Sequence, residues 1–191
     1  MSRSLVGIFV GGKSSRMGGA PKGLLRTASG ESVAERLVRI CGEGLGGVPI
    51  VLVGDARAYA RLNLPWLADT PTGIGPIGGL AALLSSARKL EVKSLIALAC
   101  DFPGLTAELV RRLAGHAPEA PAVAARPHGV WQPLCARYDP PFALLATERL
   151  IRNDERALYR VLEELGAAEL PLEPGDFAAL VDWDEPADVK P

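Results

Sequence analysis

Apolar residues arrive in two rhythms along the chain. The runs Leu5-Val6-Gly7-Ile8-Phe9-Val10, Pro49-Ile50-Val51-Leu52-Val53 and Ser94-Leu95-Ile96-Ala97-Leu98-Ala99-Cys100 are short and almost continuously apolar. Strands buried on both faces of a parallel sheet have that signature. Between them the spacing changes to three and four. Val33, Leu37, Ile40 and Cys41 share one helix face, and Leu80, Leu83, Leu84 and Ala87 share another. Thr106 is placed to cap a helix through Leu109 and Leu113, its hydroxyl accepting from an orphaned backbone N–H. Leu158, Val161, Leu162 and Leu165 mark the last helix. Strands alternating with helices predict an α/β fold, a mostly parallel sheet with helices on both faces. One domain is expected over residues 1–191.

A sheet of this kind takes its ligand beyond the carboxyl ends of its strands. Polar residues gather at those ends here: the loop from Gly11 to Lys22, the pair Gly54-Asp55, and Asp101. No internal repeat or low-complexity segment interrupts the pattern, and residues 117–121 read as a loop.

Composition narrows the picture further. At 191 residues a chain buries about 70% of its unfolded surface without staples. Hydrophobic content of 48% and charged content of 23% exclude disorder. A formal charge of -1 supplies no reason for a nucleic-acid or anionic-membrane partner. The first apolar run is too short for a signal peptide, and no stretch reaches the roughly 18 apolar residues of a membrane span. Cys41, Cys100 and Cys135 are odd in number, far apart and set in or beside apolar stretches. They read as buried reduced thiols, and with only His116 and His128 available no zinc site is expected. A reducing compartment, the cytoplasm, follows from that reading.

The strongest chemical signal is Gly11-Gly12-Lys13-Ser14-Ser15-Arg16-Met17-Gly18, followed by Lys22. Glycines directly after a buried strand let backbone approach a ligand, and free amides there can face phosphate oxygens. Arg16 and Lys22 add two cations, suited to a triphosphate with about four negative charges. Residues 7–14 fit the Walker A expression, but Ile8, Phe9 and Val10 belong to the strand and cannot wrap phosphates. The glycine patterns at 73–78 and 42–47 match the dinucleotide fingerprint without its context. The second signal is Cys100-Asp101-Phe102-Pro103, a carboxylate at a strand end where magnesium would find a hard oxygen ligand. The third is Asp69-Thr70-Pro71-Thr72-Gly73-Ile74-Gly75-Pro76-Ile77-Gly78-Gly79, backbone laid open before a helix N-terminus. The fourth is Asp182-Trp183-Asp184-Glu185, paired carboxylates near an expected strand end. Trp131-Gln132-Pro133-Leu134 lies in a loop and strand that could touch a bulky second substrate. Trp66, Phe142 and Phe177 read as core or rim packing, and His128 as a loop histidine that only exceptionally serves as a base.

Together these motifs resemble the molybdenum cofactor guanylyltransferase family over nearly the whole chain, from Val6 to about Asp188. The opening motif stands here as Phe9-Val10-Gly11-Gly12-Lys13-Ser14-Ser15-Arg16-Met17-Gly18 with Lys22, and the central G-P-L-A-G as Gly75-Pro76-Ile77-Gly78-Gly79. C-D-x-P is Cys100-Asp101-Phe102-Pro103, and the final element is Asp182 to Asp188. The resemblance implies a three-layer, Rossmann-like nucleotidyltransferase fold. It implies that GTP lies along the first loop, at Phe9, Val10, Gly11 and Gly12, with Lys22 on the phosphates and Asp101 on magnesium. It also implies catalytic roles for Arg16, Lys22 and Asp101, and GTP contacts at Gly54, Asp69, Gly75 and Gly79. Gly54 stands where the family often has Asn. Asp184 replaces a family Asn, as in cytidylyl- and sugar-nucleotidyltransferase relatives, and makes a two-carboxylate magnesium site with Asp101 conceivable. The substrates implied are GTP and molybdopterin, with transient partners in cofactor delivery. Cytidylyltransferase cousins share the Arg-Met-Gly…Lys motif but tend to carry A-A-G and a serine in the central motif, so Gly11-Gly12 and Gly75…Gly79 favour GTP. The alternatives are a transferase using CTP or a sugar phosphate, and a non-catalytic nucleotide-binding protein.

Overall fold

Hydrophobic alternation decides which side of the sheet each strand residue serves. The computed structural model describes residues 4–11 and 21–183. Among them, strands β1 (Ser4–Phe9), β2 (Ile50–Val53), β3 (Trp66–Leu67), β4 (Ser94–Ala99), β5 (Ala122–Ala125), β6 (Gln132–Tyr138) and β7 (Ala168–Glu169) form one sheet. Their spatial order is β3-β2-β1-β4-β6-β5-β7. β6 runs antiparallel to β4 and β5; every other pairing is parallel. Val6, Ile8, Leu52, Ile96 and Leu98 enter the core on one face, while Leu5, Phe9, Val51, Val53, Leu95 and Ala97 enter the core on the other. Successive strand residues point to opposite faces, so continuous apolar runs need helices on both sides.

Helices α1 (Val33–Leu45) and α3 (Ala107–Gly115) cover the first face, joined late in the chain by α6 (Pro174–Ala179). Helices α2 (Pro76–Lys89), α4 (Pro140–Arg152) and α5 (Tyr159–Glu164) cover the second. Each leucine or isoleucine sealed in these layers contributes about 1.5–3 kcal/mol relative to exposure. Local chemistry sets the helix ends. Ser32 and Glu35 close a capping box on α1, with Glu35 N donating to Ser32 Oγ at 3.2 Å and Ser32 N to Glu35 Oε2 at 2.7 Å. Gly46 ends that helix in the left-handed region, at φ 68. Thr106 caps α3 as its placement predicts, accepting from Leu109 N at 3.1 Å.

Several expectations need correction. The helix at Leu158–Leu165 is followed by another, α6, so it is not the last. Residues 182 and 183 belong to no strand. Of the two readings left open for Trp66 and Phe142, core or rim, their 53% and 60% exposure selects the rim. The three cysteines are buried and free, as their settings suggest. No helix among the described residues is long and apolar enough to cross a membrane.

At the ligand edge of β1 and β2 the two backbones nearly touch. A Cβ on Gly54 would lie 2.7 Å from Gly11 Cα, and Gly54 sits at φ 103, where side-chain-bearing residues are strained. Gly54→Ala is therefore expected to destabilise the protein by at least about 1–3 kcal/mol. Gly42→Ala, in the interior of α1 with nothing within 4 Å of the new methyl, should stabilise it by about 0.5–1 kcal/mol. Urea denaturation of the two variants checks both signs.

Candidate active site

Where β1, β2 and β4 end together, a cleft of about 380 Å³ opens. β1 and its exit supply Phe9, Val10 and Gly11, and β2 supplies Val53. Asp69 comes from the segment after β3, Gly75 and Pro76 from the start of α2, and Leu134 from β6. β4 and its exit supply Ala99, Cys100 and Asp101. Lys22 opens a short 3-10 turn, Lys22–Leu24, and completes the lining. Gly23 behind it packs against the buried Tyr59 ring, so the turn is held from below.

The sequence candidates divide by place. Phe9, Val10, Gly11, Lys22, Asp69, Gly75 and Asp101 line one cleft. Gly54 does not line it; its contact with Gly11 shapes the floor, and the space that a side chain there would need is taken by backbone. Gly79 is buried inside α2 and does not line the cleft either. A Cβ there would lie 3.0 Å from Asp69 Oδ1 and 2.9 Å from Val53, so the bare backbone is the seat on which the Asp69 carboxylate rests. Gly12, Arg16 and Asp184, with the rest of 12–20 and 184–191, lie outside the described residues. Asp55, grouped by sequence with the polar strand ends, is turned into its own loop by Arg57, whose Nε donates to Asp55 Oδ1 at 2.8 Å. That guanidinium holds the exposed carboxyl down to about 2.

Two features fix the loop that carries Asp101. Arg36 reaches up from α1 and donates from Nε to Pro103 O at 2.7 Å and from Nη2 to Leu105 O at 3.0 Å. The Trp183 N–H donates to the Asp101 carbonyl at 2.9 Å. That bond brings the acidic C-terminal element beside β4, with Asp182 exposed and Trp183 packed partly against the α1-side core. Arg36 carries no sequence signal, since nothing in local spacing shows what a helix-face arginine will meet, whereas Leu134 closes the stretch from Trp131 that the sequence marks for a second substrate. Trp183 stands out in the sequence only through its acidic neighbours.

The electrostatics select among possible chemistries. Burial, with the neighbouring Asp101 charge adding to it, pushes the Cys100 thiol up to about 12. A thiol so raised stays protonated near neutral pH and does not act as a nucleophile. Gly75 begins α2 at φ 79 with no side-chain cap, so the positive end of a 14-residue helix faces the cleft. Asp69 sits on the same wall, and burial raises its pKa above the ordinary 3.8. His128 is exposed, its ring 5.2 Å from that of Phe177, and it does not line the cleft. Among the described residues the cleft brings an ammonium, two carboxylates and an uncapped helix end together. Such a set can bind a phosphate chain and a hard cation at once.

Residues 6–169 match the MobA-like NTP transferase domain. The chain belongs to this family. Among relatives of this MobA-like transferase, the molybdenum cofactor guanylyltransferase of Mesorhizobium japonicum is 33% identical over 180 residues, 89% of this chain and 84% of that one. The enzyme of the same name from Pseudomonas syringae pv. syringae is 34% identical over 173 residues, 88% and 83% of the two chains. In fold, the MobA-like transferase is similar to molybdopterin-guanine dinucleotide biosynthesis protein A of Archaeoglobus fulgidus, with a TM-score of 0.76 at 22% identity, covering 97% and 94%. It is also similar to the 2-C-methyl-D-erythritol 4-phosphate cytidylyltransferase of Thermus thermophilus, with a TM-score of 0.68 at 15% identity, covering 96% and 94%. The Rossmann-like nucleotidyltransferase fold is thus shared with enzymes acting on other substrates.

Burial of Asp69 has a consequence for stability. Below pH 3.8 folded and unfolded chains both hold its proton. As pH rises through the raised native value, the unfolded state releases that proton more readily, and the contribution of Asp69 turns against the fold. Asp69→Asn should therefore be more stable than the parent at pH 7, with the difference shrinking as pH falls toward 3.8. Urea midpoints of both proteins across that range check the trend.

Proposed function

We propose that this nucleotidyltransferase moves GMP from GTP to the terminal phosphate of molybdopterin. An acceptor phosphate oxygen bonds to the α-phosphorus of GTP, the bond to the bridging α–β oxygen breaks, and pyrophosphate leaves with the electron pair. The observation that carries this reading is the convergence of Lys22, Asp69, Gly75 and Asp101 on one cleft at the carboxyl edge of the sheet. The family relatives named for guanylyl transfer to the molybdenum cofactor supply the identity of the acceptor.

The residues divide the work by charge. Lys22 neutralises phosphate oxygens as charge grows on the departing pyrophosphate, and Arg16 of the same motif is proposed to assist it. Asp69 and the uncapped start of α2 form the wall for the nucleoside; a carboxylate accepts from the paired N–H donors on the edge of guanine. Catalysis is positioning and electrostatics, so no protein nucleophile is required. The protonated Cys100 fits that economy.

Magnesium suits the donors present. Asp101 offers hard oxygen at the centre of the cleft. An ion held by one or two carboxylates takes its remaining ligands from phosphate and water, which is the habit of magnesium. Bound there, it would withdraw charge from the phosphates under attack. The Trp183 N–H bond to Asp101 O leads the chain toward Asp184, which supports Asp184 as a second carboxylate for the same ion. The buried free thiols suit a cytoplasmic enzyme.

Calorimetry with each nucleotide plus magnesium should show GTP binding roughly tenfold or more tighter than CTP or ATP, a gap of about 1.4 kcal/mol. Equal or tighter CTP binding would sink the guanine assignment. Asp101→Asn should remain folded yet lose on the order of 100-fold in turnover, about 3 kcal/mol of transition-state stabilisation. Lys22→Ala should lower kcat and not only raise KM for GTP, with Lys22→Arg a poor rescue. Unchanged steady-state kinetics in either folded Lys22 variant would remove that residue from the mechanism.

A further inference from the structure

Beyond Asp101 the sheet continues into β6 and β5, and the turn joining them stands at the same edge as the cleft. β6 is antiparallel to both β4 and β5, so the end of β5 and the start of β6 face the side on which β4 ends. Residues 126–131 fold this turn tightly upon itself. Gly129 N donates to Arg126 O at 3.2 Å and Val130 N to Pro127 O at 3.0 Å. His128 and Gly129 both take positive φ, 53 and 79. Arg126 Nε donates to Gly129 O at 3.1 Å, which pins the root of the guanidinium. Its carbon then rests 4.7 Å from the centre of the Trp131 ring, and Nη1 lies 3.7 Å from Glu169 Oε2.

One face of the guanidinium is thus backed by indole, while the Arg126 side chain stays 40% exposed. Trp131 is partly buried against the core layer that holds Phe9 and Val53. Leu134, three residues further along, lines the cleft itself, so the chain runs from the turn straight into the cleft wall. A pinned guanidinium plane is a stacking surface for a flat π system and a donor to anions at once. The order of the sheet assigns what it meets. Lys22 and Asp101 hold the centre at β1 and β4, and Asp69 and Gly75 the flank toward β2 and β3. With the nucleoside on that flank and its phosphates at the centre, the open flank is the one toward β6 and β5.

Resting on the guanylyl-transfer reading above, we propose that Arg126, backed by Trp131, is the shelf on which the flat, phosphate-bearing heterocycle of the acceptor stacks. Arg126→Ala, Arg126→Lys and Trp131→Leu test it, with folding followed by circular dichroism. Steady-state assays with molybdopterin as the probe should show the acceptor KM raised roughly tenfold in the Ala and Leu variants, the scale of one lost stacking contact. Arg126→Lys should recover only part of that loss, because an ammonium keeps the charge without the plane. Affinity for GTP by calorimetry should stay within about twofold of the parent, a change below 0.5 kcal/mol. An unchanged acceptor KM in Arg126→Lys and in either other folded variant overturns the shelf, and so does a tenfold loss of GTP affinity. A parent protein that binds GTP but releases no pyrophosphate with molybdopterin overturns the transfer reading and the shelf with it, before any variant is made.

Discussion

The register of β1 with its two neighbours is the constraint on which the site depends. Phe9 pairs with Val53 on one side and with Ala99 on the other. Three parallel strands therefore stop at one level, and the residues just past their ends meet in the same place. Those residues are Val10-Gly11, Gly54 and Cys100-Asp101. The hydrogen bonds from Val10 N to Val53 O and from Cys100 N to Phe9 O carry the pairing one residue past the strands. Side chains at both Gly11 and Gly54 would force the strand ends apart; without them the cleft floor is backbone, which can approach a phosphate closely.

Charge placed on that floor has to be held, because each group in it is partly withdrawn from water. Asp101 is fixed through its backbone, by Trp183 at its own carbonyl and by Arg36 at the carbonyls two and four residues later. Asp69 is fixed by shape, its oxygen resting where Gly79 has no side chain. Burial raises its pKa, so ionising it works against the folded state until a ligand supplies hydrogen bonds or positive charge. The two carboxylates thus show opposite designs. One is anchored by a network that spans α1 and the C-terminal segment, and the other is seated by shape, with burial opposing its ionisation. Both leave the cleft arranged before a ligand arrives, which is how electrostatic catalysis avoids reorganisation at the moment of reaction.

Much of this is legible in the chain, and the reason is locality. Continuous apolar runs announce doubly buried strands, and β1, β2 and β4 lie within one residue of where their runs place them. Glycine after a strand and aspartate after a strand are equally local signals, and seven of the site candidates do line one cleft. The hidden part depends on partners distant in sequence. Arg36 meets residues 103 and 105 only through the packing of α1 on the sheet. Gly54 and Gly79 look like ligand contacts, yet their neighbours are other parts of the protein, Gly11 in one case and Asp69 in the other. β3 and β7 have two residues each, too few for any rhythm to show. Trp66 and Phe142 can be read only as core or rim, because an aromatic side chain alone does not say which, and a surface holds many.

The antiparallel strand β6 explains how one edge can serve two substrates. In an all-parallel sheet each strand leaves the ligand edge by a long crossover, and only strand ends contribute there. Reversing β6 places a strand start at that edge beside the end of β5, joined by the tight turn of 126–131. The pairing slips between Ala124 and Ala125 and bows the first residues of β6, and Leu134 emerges from that stretch into the cleft. The parallel strands β1, β2 and β4 therefore build the part of the edge proposed to handle phosphates, with bare-backbone strand ends and a helix end. The reversed strand builds a short, stiff wall with an aromatic and a cation at its top. A phosphate chain needs amides and charges closing around it, whereas a flat ring needs a rigid plane. Reversal of β6 supplies the second without disturbing the first.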